Sequence, residues 1–297
     1  MRLRHIEVFN AVMLTGSVSA AARLINVTQP AVSRTLQHAE LQLGFALFRR
    51  DKGRLTPTAE AQALYPHIER LFAQMDEVQR LAASLRAGGD ATVLRILAVM
   101  ALTHEVLPRA LVAFRRRHPS VTIHVEGLHT PQIVSALLLR EADVGLAFNP
   151  VPPPGLAHET LATSPIVCIA PRGLLPRAAV AQGAVDLAAL DGVPVAALDA
   201  RDPVGTSLSQ ACRDAGVSLN AVITVQTYHA ALAMAHHGLG VALVDACTSR
   251  SADRSRVDVL ALRPQLPVPV RALRPLHATE SVAVRSLLQC VQQVLED

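Results

Sequence analysis

Apolar residues recur at Leu64, Ile68, Leu71, Met75, Val78, Ala82 and Leu85, alternately four and three apart, with Glu69, Arg70, Gln74, Glu77, Arg80 and Arg86 among them. This is a heptad seam held over about three heptads, which predicts a long helix that pairs with another helix. Thr56 offers it a cap, Pro57 a first position and Glu60 an acid for the positive end of its dipole, and Gly88-Gly89 ends it. Upstream, Ser17 caps a short helix whose Ala20, Ala21, Ala22 and Leu24 allow close packing, and a turn at Asn26 and Val27 leads to a second helix beginning at Thr28 with Pro30 in its first turn. Val32 and Leu36, four apart, point inward and leave Gln29, Ala31, Ser33, Arg34 and Gln37 facing out.

Past Gly89 the period changes to short apolar strands alternating with helices, the sign of an α/β domain with a largely parallel sheet, and the pattern runs twice. Strands are predicted at 93–99, 121–126 and 144–148, with helices at 105–117 and 131–140 between them; a break follows at NPVPPPG. A second set begins near Pro165 with IVCIA, then VPVAAL, a helix over 203–215, AVITVQT, a helix over 228–237, and VALVD. The chain then returns for VPVRALRP and a last helix from Glu280 to Leu295. Three units follow: residues 1–57, a helix over 58–89, and a two-lobe α/β unit over 90–297, with lobe I at about 90–162 and 268–297 and lobe II at about 163–267.

Charge assigns a partner to the first unit. The chain of 297 residues carries a net charge of +4, but residues 1–57 hold eight basic groups against three acids, so this unit is at +5 and the rest near −1. Two close-packed helices followed by Phe48 as an anchor and a basic turn of Arg49, Arg50, Lys52 and Arg54 are the parts of an all-α winged helix-turn-helix. In such a device Thr28, Gln29, Pro30, Ala31, Ser33, Arg34 and Gln37 lie in the major groove, where Gln suits adenine and Arg guanine, while the wing touches phosphate. A helical hairpin with solvated arginines would explain any one of these features, but not the helix pair, the wing and their order together.

Other chemistry finds little footing. Cys168, Cys212, Cys247 and Cys290 are scattered singly, which reads as buried thiols rather than a redox pair or a metal site. His236 and His237 are adjacent, so they cannot share one ion from a helix, and no phosphate-cradling loop or nucleophile elbow occurs, so neither metal nor cofactor is expected. No apolar run approaches 18 residues and MRLRHIEVFN lacks a signal-peptide core, so the chain is expected to be cytoplasmic, free of the membrane and not an enzyme. A solute-binding protein or a two-lobe enzyme is the alternative that the basic first unit opposes.

The segments LRHIEVFNAV, GSVSAAARLINVTQPAVSRTLQHAELQLGFALFRR and LTPTAEA, followed by VLPRALVAFRRRHPSVTI, EADVGLAF and HHGLGVALVD, resemble the LysR-type transcriptional regulators. Thr28 stands where that family more often has Ser, and Ala59 where Gly is common. The resemblance implies a homodimer joined through Leu64, Ile68, Leu71, Met75, Val78 and Leu85, pairing of dimers into a homotetramer, promoter DNA and RNA polymerase as partners, and a periplasmic-binding-protein-like effector domain. A redox-sensing member of the same family is a further alternative. In open α/β sheets ligands lie beyond the carboxyl ends of strands, and the family's ligand positions fall on the same strand ends. These are Met100, Ala101, Leu102 and Thr103, then His129 and Thr130, and from lobe II Asp199, Asp202, Thr227, Tyr228 and Val244. Thr130 is expected to cap a helix at Pro131 and to meet a carboxylate. DARDPVG, VQTYHAA, GLGVALVDACTS and RPLH are similar to the branch answering to basic amino acids and opines, including the regulator of lysine biosynthesis. Asp199 and Asp202 suit a cationic arm, and 3% aromatics argue against an aromatic acid.

Overall fold

The structure is a computed structural model that describes residues 1–51, 54–86, 93–148, 153–199, 202–276 and 281–296. The head consists of α1 (Leu3–Thr15), α2 (Val18–Leu24), α3 (Gln29–Leu43) and the two-stranded wing β1 (Phe48–Asp51) and β2 (Arg54–Pro57). Phe9, Val12, Ala21, Val32, Ala39 and Leu47 close its core. The Ser17 hydroxyl accepts from the Ala20 amide at 3.0 Å and so caps α2. Asn26, at φ 53, makes the left-handed turn between α2 and α3 that a short polar side chain tolerates. Thr28 occupies the α3 cap position without a side-chain cap bond.

The long helix α4 spans Ala59–Arg86 and starts later than Thr56 and Pro57 suggest. Those two residues are consumed by the wing, where Thr56 pairs with Arg49 and Pro57 with Phe48. Thr58 caps instead, its hydroxyl accepting from the Ala61 amide at 3.2 Å while donating to the Ala46 carbonyl at 2.8 Å. Gly88-Gly89 lies outside the described residues.

Lobe I holds β3 (Val93–Ala98), α5 (Met100–His104), α6 (Val106–Arg117), β4 (Thr122–Gly127), α7 (Thr130–Leu138) and β5 (Val144–Phe148). β6 (Leu156–Pro171) runs on through both lobes. Lobe II adds α8 (Arg177–Gln182), β7 (Ala184–Asp186), a 3-10 turn at Leu187–Leu190, β8 (Pro194–Leu198), α9 (Pro203–Ala215), β9 (Asn220–Val225), α10 (Tyr228–His236), β10 (Val241–Asp245), α11 (Ala246–Ser249) and β11 (Val257–Arg263). β12 (Pro267–Pro275) and α12 (Val282–Glu296) return to lobe I; Glu280, the expected start of the last helix, lies outside the described residues.

The strands follow the order β4-β3-β5-β12-β6-β10-β8-β9, with β11 between β6 and β7. β6 joins the lobes: up to Pro165 it pairs antiparallel with β12, and from Ile166 with β10 and β11. The sheet is therefore mixed, with parallel β3, β4 and β5 in one lobe and parallel β8, β9 and β10 in the other. The helix expected over 105–117 is α6; a further short helix, α5, precedes it and is set apart at Glu105, whose φ of −122 and ψ of −49 leave the helical range. Among the described residues no helix is long and apolar enough to cross a membrane.

Candidate nucleic-acid face and interlobe cleft

α3 buries Val32, Leu36 and Ala39 and turns Thr28, Gln29, Pro30, Ala31, Arg34 and Gln37 to solvent, with Ser33 half-buried. A 15-residue helix with that face fits the major groove, about 12 Å wide. The Gln29 side-chain oxygen accepts from the Ser19 hydroxyl at 3.1 Å, which holds the amide in place before any base is met. Glu40, which the sequence reading passed over, fastens the end of α3 to the wing. Its carboxylate accepts from the Leu47 amide at 2.7 Å and the Phe48 amide at 3.2 Å. The Phe48 ring packs on Phe9 at 5.7 Å. Arg49 is exposed on β1; Arg50 and Arg54 lie on the paired wing strands with side chains outside the described residues, as is all of Lys52.

Along the α4 seam, Ile68 is buried, Leu64 and Leu71 are half-buried, and Met75 and Val78 are 39% and 67% exposed. The single chain thus covers the start of the seam and leaves its middle bare. The Leu85 side chain lies outside the described residues.

Between the lobes lies a cavity of about 330 Å³. It opens at the carboxyl ends of parallel strands, Met100 following β3, His129 following β4, Asp199 following β8 and Thr227 following β9. His129, Thr130 and Gln132 face it from lobe I, and Asp199, Asp202, Gln226, Thr227 and Tyr228 from lobe II. The helix of lobe I begins one residue earlier than expected: His129 is the cap residue of α7 and Thr130 its first helical residue, with Gln132 accepting from the His129 amide at 3.1 Å. Asp202 caps α9 by accepting from the Val204 amide at 2.9 Å, and the Tyr228 hydroxyl donates to the same Oδ1 at 2.5 Å. Burial pushes the Asp202 carboxyl above the ordinary carboxylate range, against the opposing pull of those hydrogen bonds and of His129 across the cleft. The Tyr228 ring stands edge-on to Phe148 at 5.4 Å, and burial beside Asp202 drives its hydroxyl strongly upward, so it stays a donor. Gly205 is required here, because a Cβ on it would meet the Asp199 carbonyl oxygen at 2.6 Å.

Four expected contacts do not reach this cavity. Ala101 and Leu102 turn into the core. Thr103 is half-buried and spends its hydroxyl on the Met100 carbonyl at 2.8 Å. Val244, 0% exposed, sits on the central strand β10 opposite Val167. Strand ends locate a cleft, but α5 starts directly after β3 and turns Ala101 and Leu102 inward, while Val244 lies within β10, all five of whose residues are buried. Leu128, Gln132, Pro203 and Gln226 line it unannounced, each adjacent to or within three residues of a predicted contact.

α5 and α10 both begin on the cleft and carry His104 and His229, whose rings stack at 3.7 Å across the lobe boundary. Burial, with His104 beside it, lowers the imidazole of His229 from 6.5 to about 4. Between those values the unfolded chain binds a proton that the folded chain refuses, so this contribution to stability is full above the unfolded value and is lost as pH falls toward the folded one. Asp245 works oppositely. Burial raises it from 3.8 to about 6, so its folded form holds a proton the unfolded chain releases, and its contribution declines as pH rises through that window. His229→Phe keeps a stacked ring without a titrating nitrogen. From about pH 7 to about pH 5 its thermal midpoint should fall less than that of the unaltered protein; equal falls would show that protonation of His229 does not set the pH dependence.

The four cysteines are free and buried. Burial pushes the Cys168 and Cys247 thiols up to about 12 and raises Cys212 as well, the opposite of a reactive thiolate.

Residues 3–62 match the model of the bacterial regulatory helix-turn-helix protein, lysR family, and residues 87–296 that of the LysR substrate binding domain. The HTH-type transcriptional regulator DgcR of Pseudoalteromonas sp. is 33% identical over 92% of this chain and 92% of its own. The octopine catabolism/uptake operon regulatory protein OccR of Rhizobium meliloti is 36% identical over 57% of this chain and 56% of its own. The crystal structure of full-length BenM superposes with a TM-score of 0.59 at 23% identity, covering 100% of this chain and 97% of that one.

Proposed function

The chain belongs to the LysR-type family of transcriptional regulators, and on that premise we propose an effector whose chemistry is that of a basic amino acid or an opine-like compound. The protein is a DNA-binding transcriptional regulator with an effector-binding domain. Its reading head uses α3 for base edges and the wing for phosphate. Two heads, brought together by α4, address two half-sites of an operator, and dimers pair further as in the family. It works in the cytoplasm and carries out no catalysis.

The observation that carries the ligand reading is the distribution of polar groups across the cleft. Lobe II contributes the carboxylates Asp199 and Asp202, while lobe I contributes the Thr130 hydroxyl and the start of α7. A zwitterion with an additional cationic arm matches both walls: its carboxylate faces the helix start and its arm the two acids. The described hydrogen bonds to the Asp202 side chain all fall on Oδ1, which leaves Oδ2 for an incoming ammonium. OccR, named for octopine, supports the opine side of this reading.

Calorimetry with lysine, arginine, ornithine, diaminopimelate and opines tests it directly. At least one should bind, and Asp202→Asn, which keeps the cap, should weaken that ligand by about tenfold to a hundredfold, the worth of a hydrogen bond to a charged group. No heat from any of them, beside clear binding of an aromatic or dicarboxylic acid, would sink the ligand reading and leave the regulator untouched.

A further inference from the structure

A second cavity, of about 350 Å³, lies where the head, α4 and lobe I meet, and it is as large as the cleft. Its walls are largely apolar, with Leu14 of α1, Tyr65 and Phe72 of α4, Leu138 at the end of α7 and Leu276 after β12, and Asn10 and Asn26 add neutral polar side chains. The charged groups at its edge answer one another. Arg4 pairs with Glu7 at 3.1 Å, and the Tyr65 hydroxyl donates to Glu69 with Arg140 nearby. A charged guest would have to break one of these pairs, and water would find few partners along the apolar walls. A cavity of this size, mostly apolar with a few polar groups at its edge, has the make-up of a ligand pocket.

We propose that this junction is a second small-molecule site, taking a compact, uncharged and largely apolar ligand of one or two rings. It is separate from the cleft but linked to it through α7. That nine-residue helix presents Thr130 to the cleft at one end and Leu138 to this cavity at the other, a rod of roughly 13 Å. A guest here braces the reading head against the helix that the effector touches. The head sits close at this point, because a Cβ added at Gly155 would press into both Leu14 and Leu138.

The dye N-phenyl-1-naphthylamine, uncharged and bright only in apolar surroundings, is the probe. The full-length protein should bind it saturably at one molecule per chain. The chain has no tryptophan and two tyrosines, Tyr65 and Tyr228. In Tyr228→Phe protein the remaining tyrosine emission therefore comes from Tyr65, and bound dye should quench it. Leu276→Trp and Leu139→Trp fill the cavity from positions 47% and 43% exposed, where a larger side chain is tolerated. Each should weaken dye binding at least about tenfold, while Gln226→Trp, which fills the cleft, should leave it unchanged. Absence of saturable binding, unquenched Tyr65 emission, or loss of binding with Gln226→Trp but not with either cavity-filling variant would each overturn the site.

Discussion

Val78→Asp should break the pairing of α4 helices and halve the sedimenting mass of the protein at low micromolar concentration. Val78 and Met75 lie on the heptad seam beyond buried Ile68, and they stand exposed in the single chain. Apolar seam positions left bare in this way gain by meeting their counterparts on a second helix. An aspartate at 78 in each helix would place two like charges against that seam. Burying such a charge costs about 3–5 kcal/mol, a weakening of roughly a hundredfold to several thousandfold in association. The single subunit loses little, because the side chain is exposed there, so circular dichroism should be unaltered while sedimentation shows half the mass. Operator affinity should fall with it, since two half-sites are then bound by independent heads. A variant that sediments at the mass of the unaltered protein would mean that the seam is covered by something other than a second α4.

Thr130→Val should shift the effector dose–response of a reporter by about tenfold to a hundredfold, the worth of one hydrogen bond to a charged ligand group. Among the described residues the Thr130 hydroxyl has no hydrogen bond, and it lines the cleft at the first position of α7, where helix amides also face outward. Valine keeps the volume and the branched shape, so the change removes the hydroxyl alone. The effector acts by favouring one arrangement of the lobes, and it can do so only as far as it binds that arrangement better. Weaker contact at Thr130 therefore reduces the response. A response identical to that of the unaltered protein would move the ligand's carboxylate away from α7.

The parts of the molecule governed by local pattern were readable from the sequence, and the parts governed by distant contacts were not. The spacing of Val32 and Leu36 and the cap at Ser17 predict α2 and α3 because each depends on neighbours within one or two turns. Thr56 misleads for the converse reason: Thr-Pro suits a helix start, but pairing with β1 claims it, and Thr58 two residues on takes the role. β6 reads as a strand only near IVCIA, because its two halves serve different sheets and the first does not alternate: exposed His158, Glu159 and Thr160 separate buried Leu156 from Leu161. β11 carries its only buried apolar positions at Val257, Leu260 and Leu262, a spacing of three and two that matches no single period. In the cleft, Asp202 is visible as a cap before Pro203, but the Tyr228 hydroxyl on it comes from 26 residues away. The stacking of His104 on His229 and the junction around Tyr65 join segments far apart in the chain, and no spacing rule marks them.

The most direct test of the central claim is a fluorescence anisotropy titration of operator and random DNA, over a series of salt concentrations, with the unaltered protein and with Gln29→Ala, Arg34→Ala and Arg49→Ala. A regulator that reads bases through α3 should prefer operator. Gln29→Ala and Arg34→Ala should each remove about 1–3 kcal/mol of that preference while leaving affinity for random DNA nearly unchanged. Arg49→Ala should weaken both DNAs alike and flatten the dependence on salt by about one counterion. Equal losses on operator and random DNA for Gln29→Ala and Arg34→Ala, or no preference for operator in the unaltered protein, would contradict the account.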